Sequence, residues 1–339
     1  MLAIDLLNQL CASHEVSLVV VNNECNKELM KQLDKRVAVH YINRKTGSRN
    51  PLPVIRLNLL LLKLKPDVIH CHEDSMGQLI KMQSGKLLYT IHDVGIPVSV
   101  YHRYNSLVAI SDAVYKDVAA RYPRNLTKIY NGVVTSLFRH RQQHFLTHQE
   151  PVRFVQVSRL MHEKKGQDIL LRALKKLAEE YGFTNFSMDF VGGGASYNYL
   201  KQLTQELGLE HHVHFLGEKD RSWLFNNLCS YHLLVQPSRY EGFGLTVLEG
   251  FAAGLLVVAS DIEGPAEIIH NIPGGFLFKN GNADDCAKQL FDVVEQYAGN
   301  RLSELAEKSV PTLNQKYSIE ACSNGYLHEY ENLIAAKAV

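Results

Sequence analysis

No apolar run in this sequence is long enough to cross a bilayer. The longest, residues 54–64 (VIRLNLLLLKL), is short and carries Arg56 and Lys63. It reads as an amphipathic helix that packs on the protein, with peripheral contact to a membrane surface as the alternative. Cysteine pairs are missing too. Six cysteines, Cys11, Cys25, Cys71, Cys229, Cys286 and Cys322, are scattered with no Cys-x-x-Cys spacing, which argues against a zinc ribbon or a disulfide framework and fits a reducing cytosolic setting. Neither sign of charge dominates: 36 Lys and Arg stand against 35 Asp and Glu, for a net charge of +1. No nucleic-acid partner is expected from such a balance. Residues 2–10 form an apolar-periodic helix with no charged leader and no cleavage site, so they do not read as a signal peptide.

Hydrophobic residues make up 46% of the 339 positions, enough for ordinary cores and, at this length, about two domains. The first half alternates strand and helix patterns. Strands are expected at 15–21, 37–42, 67–72, 86–92, 106–111 and 126–130, with a basic loop at 43–53 and helices at 54–64 and 112–121. Residues 137–148, polar and rich in His, interrupt the pattern and read as a linker closed by Pro151. The alternation then restarts, with strands near 152–157, 186–191, 213–216, 233–237, 255–259 and 274–278, and a last amphipathic helix from Ile319 to Ala336. Such alternation predicts doubly wound parallel sheets, whose ligands sit at the carboxyl ends of strands where the strand order reverses.

The stretch 238–249 (SRYEGFGLTVLE) is the centre of the chain's chemistry. A strand pattern leads into Glu241, Gly242, Phe243 and Gly244, and helical spacing starts at Leu245. Glycines let a backbone approach a ligand, and a helix start presents N–H groups and a positive dipole end to a phosphate. Glu241 and Glu249 flank the loop. A carboxylate suits a phosphate site only if it accepts hydrogen bonds from sugar hydroxyls; an acidic first helical turn is the simpler alternative.

The Glu241-x7-Glu249 spacing, with Gly-Phe-Gly inside it and 252–261 (AAGLLVVASD) after it, resembles the signature of glycosyltransferase family 4, which are retaining enzymes that use nucleotide sugars. The resemblance implies an α/β GT-B fold, two Rossmann-like doubly wound parallel-sheet domains facing across a cleft. It suggests an N-terminal acceptor-side domain at 1–150, a donor-binding domain at 151–315 and a C-terminal helix segment at 316–339 returning toward the first. It also implies a first strand and glycine-rich loop ahead of the helix at 2–10. These have no counterpart in the sequence, so low stability is expected of the chain as it stands.

By the same resemblance, Glu249 binds ribose hydroxyls and Glu241 orients the donor sugar, while Phe243, Gly244 and Leu245 offer backbone N–H groups beside Gly242. The segment 158–166 (SRLMHEKKG) follows a strand. Its Arg159 and Lys165, with Lys164 as the alternate, suit a diphosphate and would stabilise the departing nucleoside diphosphate; an exposed basic turn is the plain alternative. His92, ending the strand of 90–93 (TIHD), matches the histidine that in the family lies near the transferred sugar, so it and Glu241 are the catalytic candidates. His72, in 70–74 (HCHED), is an acceptor-side candidate. A metal reading of that segment lacks further ligands. No Asp-x-Asp follows a strand, so a metal-independent reaction without cofactor is expected. Gly192, Gly193 and Gly194 lack the dinucleotide fingerprint spacing.

The expected function is transfer of a hexosyl group to a hydroxyl of a glycan or lipid-linked acceptor in bacterial cell-surface polysaccharide or lipopolysaccharide synthesis. The expected place is the cytoplasm, at the inner face of the plasma membrane. A non-catalytic sugar-nucleotide-binding module and an epimerase of the same fold are the alternatives.

Overall fold

The computed structural model describes all residues except Met1, 83–84, Pro123, 142–149, 299–301 and 337–339. The chain divides into two compact units: Met1–Gly132 with Tyr317–Val339, and Val133–Lys316.

In the first unit all strands run parallel. Among the described residues β1 (Ser17–Asn22) pairs with β2 (Ala38–Arg44), and β3 (Val68–Cys71), β4 (Lys86–Ile91), β5 (Ser106–Ala109) and β6 (Leu126–Lys128) form a second sheet in that order. β4 and β5 are buried along nearly their whole length, which is why they read as continuous apolar runs rather than alternating ones. The helix Ile319–Ala335 belongs to this unit. Its chain enters beside Gly132, where a Cβ would come within 2.4 Å of the Ser318 carbonyl oxygen. Only a residue without a side chain allows that approach.

The helix offers Tyr326, Glu329 and Tyr330, at i, i+3 and i+4, to polar residues of the four-stranded sheet. The Tyr330 hydroxyl lies 2.7 Å from His70 Nδ1, and the Tyr326 hydroxyl lies 2.9 Å from Thr90 Oγ1. Glu329 accepts from Ser106 Oγ at 2.6 Å and from Thr127 Oγ1 at 3.0 Å. Each of β3 to β6 thus supplies one polar side chain to one helix face. Thr90 and Ser106 are fully buried, so these bonds satisfy groups that have no water to turn to.

The second unit holds a six-stranded parallel sheet. Its strands are β7 (Val152–Val157), β8 (Phe186–Val191), β9 (Val213–Gly217), β10 (Leu233–Gln236), β11 (Leu256–Ser260) and β12 (Gly275–Phe278), in the order β12-β11-β10-β7-β8-β9. The chain runs outward from β7 to β9, then returns to the other side of β7 with β10. The order therefore reverses between β7 and β10. The helix Gln167–Glu179 turns Leu170, Leu171, Leu174 and Leu177, all fully buried, onto the sheet beside the helix Ala283–Ala298. Each such side chain contributes about 1.5–3 kcal/mol.

Two expectations change. The division between units falls at Gly132, not near 150. Residues 133–141 make their bonds in the second unit, where Arg139 N donates to Phe225 O at 2.8 Å and Arg141 N to Ala253 O at 2.9 Å. They are therefore packed rather than a solvated linker; the remaining His-rich tract, 142–148, lies outside the described residues. A helix, Ser303–Tyr317, was also not foreseen; its interior Pro311 masks the helical signal.

Candidate active site

Three loops meet at the carboxyl edge of the second sheet, around its point of reversal. The loop 158–166 follows β7, 192–196 follows β8 and 237–244 follows β10. Gly166 adopts φ +66°, and a Cβ there would fall 1.9 Å from the Pro237 carbonyl oxygen, so the first and third loops touch backbone to backbone. A Cβ on Gly192, at φ +140°, would fall equally close to the Ser158 carbonyl oxygen. The three adjacent glycines thus act as a packing surface for the loop after β7. Leu160 N donates to Gly193 O at 2.9 Å, and Ser196 Oγ lies 2.8 Å from His162 Nδ1.

Side chains tie the loops further. Lys165 Nζ forms an ion pair with Glu241 Oε2, and both side chains are about one-fifth exposed. Gln236 Nε2 also reaches that carboxylate, at 3.4 Å. Gln156 Nε2 donates to Lys165 O at 3.0 Å. Arg239 closes a fork on Asp168, with both bonds at 2.8 Å, and donates to the His162 carbonyl at 2.6 Å. Burial pushes the Asp168 carboxyl up, but the hydrogen bonds and charge of Arg239 outweigh it and leave the pKa below the usual carboxylate value. This fork was not foreseen from the sequence, because Arg239 and Asp168 meet only when the loops do.

Beyond the ion pair, the helix Leu245–Ala252 begins at Gly244 in left-handed conformation (φ +102°), with no side chain capping its N-terminus. Phe243 is buried. Gly264 lies against the Phe243 backbone, where a Cβ would come within 2.7 Å of the nitrogen and oxygen. Gly242, Leu245 and Glu249 are half-buried, Glu249 one turn after Leu245. Arg159 is exposed on the neighbouring loop, and so is Lys164, whose carbonyl accepts from Arg239 N at 2.9 Å. Hence Lys165, not Lys164, meets Glu241. A concavity of about 460 Å³ bordered by Asp261, Lys279 and Asp285 lies at the carboxyl ends of β11 and β12. Beneath the loops, Gln156, Gln167 and Gln236 are almost fully buried, and each leaves its amide oxygen without a hydrogen-bond partner among the described residues.

Both models of the family's two halves match this chain. Residues 138–309 match the family described as glycosyl transferases group 1, and residues 1–137 match glycosyltransferase family 4. The chain belongs to this glycosyltransferase family. It is thus a glycosyltransferase enzyme, with the parallel-sheet α/β architecture called GT-B. An uncharacterized glycosyltransferase of Methanocaldococcus jannaschii, MJ1178, is 25% identical over 286 residues, covering 79% of this chain and 76% of that protein. Among solved structures, a glycosyltransferase from Rickettsia africae superposes with a TM-score of 0.81 at 22% identity, over 98% of this chain and 94% of that one. Alr3699/HepE from Anabaena, solved with UDP-glucose, gives a TM-score of 0.80 at 20% identity over 98% and 95%.

The glycosyltransferase's other candidates, His72 and His92, lie in the first unit. His72 Nδ1 sits 3.0 Å from His92 Nε2 with the rings stacked, and His70 packs on His72 at 4.3 Å between centroids. Burial, then the neighbouring His92, lowers the His72 pKa to about 4; burial lowers His92 and, more strongly, His70. One ring nitrogen of the His72–His92 pair carries the shared proton and the other accepts it, so the two rings cannot both be doubly protonated. Both nitrogens of His70 are engaged, by Tyr330 and by Thr90 Oγ1 at 2.7 Å. Among the described residues no group of three or more His, Cys, Asp or Glu is placed to hold a metal ion.

Proposed function

We propose that this glycosyltransferase moves a sugar from a uridine-diphosphate sugar to a hydroxyl of a glycan or lipid-linked acceptor, with retention at the anomeric carbon. The carrying observation is the Lys165–Glu241 pair beside an uncapped helix start, at the reversal of strand order in the second unit. Open α/β sheets bind ligands at that point, and a helix start favours a phosphate. Arg159, Lys165 and the N–H groups of 242–245 receive the diphosphate, whose negative charge grows as the anomeric C–O bond breaks. Glu241, held by Lys165, accepts hydrogen bonds from sugar hydroxyls, and Glu249 from the ribose. The acceptor oxygen bonds to the anomeric carbon on the face the diphosphate leaves, and its hydroxyl proton passes to the departing diphosphate oxygen. His92 and His72 are the first unit's candidates for contact with sugar hydroxyls. Uridine is favoured because Alr3699/HepE, of the same fold, was solved with UDP-glucose.

With cations supplied by the protein, transfer proceeds without a divalent ion; loss of turnover in EDTA would refute this part. Cell-surface polysaccharide or lipopolysaccharide synthesis, at the cytoplasmic face of the membrane, is the setting this reading favours. The structurally similar set includes a lipopolysaccharide galactosyltransferase, WaaB, at a TM-score of 0.74.

Calorimetric titration of UDP, GDP and ADP, into the chain and into its Glu249→Ala variant, tests the donor site. UDP binding that weakens about tenfold or more in the variant is the expected result, since a hydrogen bond to a charged group contributes about 1.5–3 kcal/mol. A folded chain that binds none of the three nucleotides would refute the proposal.

A further inference from the structure

The helix Leu52–Leu64 is held to the first unit by one side only. Leu57, Asn58 and Leu61 are its buried residues. Asn58 pins it: its amide donates to the Val54 and Leu79 carbonyls at 2.7 and 2.9 Å, and its oxygen accepts from the N–H groups of Lys81 and Met82 at 2.7 and 2.8 Å. The opposite side is apolar and open. Leu52, Ile55, Leu59 and Leu62 are exposed by 57, 50, 57 and 36%. Of the six exposed leucine and isoleucine side chains among the described residues, these four fall on this one helix. Their spacing puts them in one stripe about 15 Å long at 1.5 Å per residue.

Charge singles out the same element. The whole chain is balanced at +1, yet no acidic residue occurs between Asp34 and Asp67. Arg56 and Lys63 are exposed along the stripe, Lys45 and Arg49 in the loop before it, and Lys65 just after it. None of these five has an ion-pair partner among the described residues. An open apolar stripe with unneutralised cations on the same helix fits a surface that is apolar beneath and anionic above. A protein partner or a second copy would meet the stripe but would also have to supply acidic groups for the cations.

We infer that the helix Leu52–Leu64 docks this chain on an anionic phospholipid surface, Leu52, Ile55, Leu59 and Leu62 entering the headgroup boundary and Arg56 and Lys63 pairing with lipid phosphates. The inference concerns a surface remote in sequence from the donor loops, and its test needs no turnover. Vesicle flotation compares pure phosphatidylcholine with a mixture holding roughly one third phosphatidylglycerol, at low and high salt. The chain is expected to float with the anionic vesicles, weakly or not at all with the neutral ones, and less at high salt. Ile55→Asn with Leu59→Asn should abolish flotation. Arg56→Glu with Lys63→Glu should lower the partition onto anionic vesicles about tenfold or more while leaving the thermal melt unchanged, because all four side chains are exposed. The inference is overturned if the native chain stays with neither vesicle, or floats equally with both. It is also overturned if either double variant floats like the native chain. Light scattering adds one more refuting outcome: a dimer that Ile55→Asn with Leu59→Asn dissolves, with no flotation, assigns the stripe to a second copy.

Discussion

Gly166 is the residue on which the geometry of the loops after β7 and β10 turns. Its φ of +66° is left-handed, and a methyl group there would meet backbone, the Pro237 carbonyl oxygen at 1.9 Å. Neither cost can be relieved by a side chain moving away. Gly166→Ala is expected to destabilise the second unit by about 2–4 kcal/mol, measured by urea denaturation. A variant as stable as the native chain would mean the loops after β7 and β10 do not touch as described. Lys165 and Glu241 make the second residue-scale case. Both are mostly buried, so removing one leaves the other charge without its partner. Lys165→Met and Glu241→Gln should each cost about 1–3 kcal/mol, and the double variant less than their sum. Additive costs in that cycle would show that the pair does not form in solution.

Among elements, the returning helix Ile319–Ala335 matters most to the first unit. Its Tyr330 hydroxyl meets His70 Nδ1 and its Tyr326 hydroxyl meets Thr90, whose Oγ1 meets His70 Nε2. His70 in turn packs on His72. Tyr330→Phe removes one bond from a buried ring and should destabilise the unit by about 1–3 kcal/mol. It should also change the ring-nitrogen NMR shifts of His70, a readout that simple loss of packing would not move. Unchanged His70 shifts would contradict the hydrogen bond.

The elements also show what patterns can and cannot say. β10, the Gly-Phe-Gly loop and the helix start at Leu245 were readable, because a buried strand and a glycine turn have local signatures. The helix Ser303–Tyr317 was not, since Pro311 in its interior reads as a stop. The open face of Leu52–Leu64 was half readable: composition showed apolar and basic residues together, but only packing reveals which side is covered.

The whole molecule is two compact units, and it carries one tryptophan, Trp223, in the second. Trp223 fluorescence therefore follows the second unit alone, while circular dichroism follows both. His232 is a suitable probe of pH dependence there. It is 5% exposed, accepts a bond from Arg153 N at 2.9 Å, and burial together with the charges of Arg141 and Arg153 lowers its pKa to about 3. The unfolded chain, with an ordinary histidine near 6.5, takes up that proton first. Stability from this residue is thus full above about pH 6.5 and falls as pH drops toward 3, by up to about 1.4 kcal/mol per pH unit. His232→Phe should flatten the fluorescence-detected slope between roughly pH 6.5 and 5. An equal slope in both proteins would refute the assignment. In the first unit His72, lowered to about 4, works in the same direction.

The sequence by itself determined the fold class, most of the strands and the glycine loop and helix start after β10, because periodicity, glycine and charge act over a few residues. Only the tertiary structure decided that Lys165 rather than Lys164 faces Glu241, that Arg239 clamps Asp168, and that the unit boundary lies at Gly132. It also brought His70 to Tyr330 across 260 positions of chain. Such pairings depend on strand order and on the close approach of backbones at Gly132 and Gly166. Those are properties of how the layers stack, and no short stretch of sequence contains them.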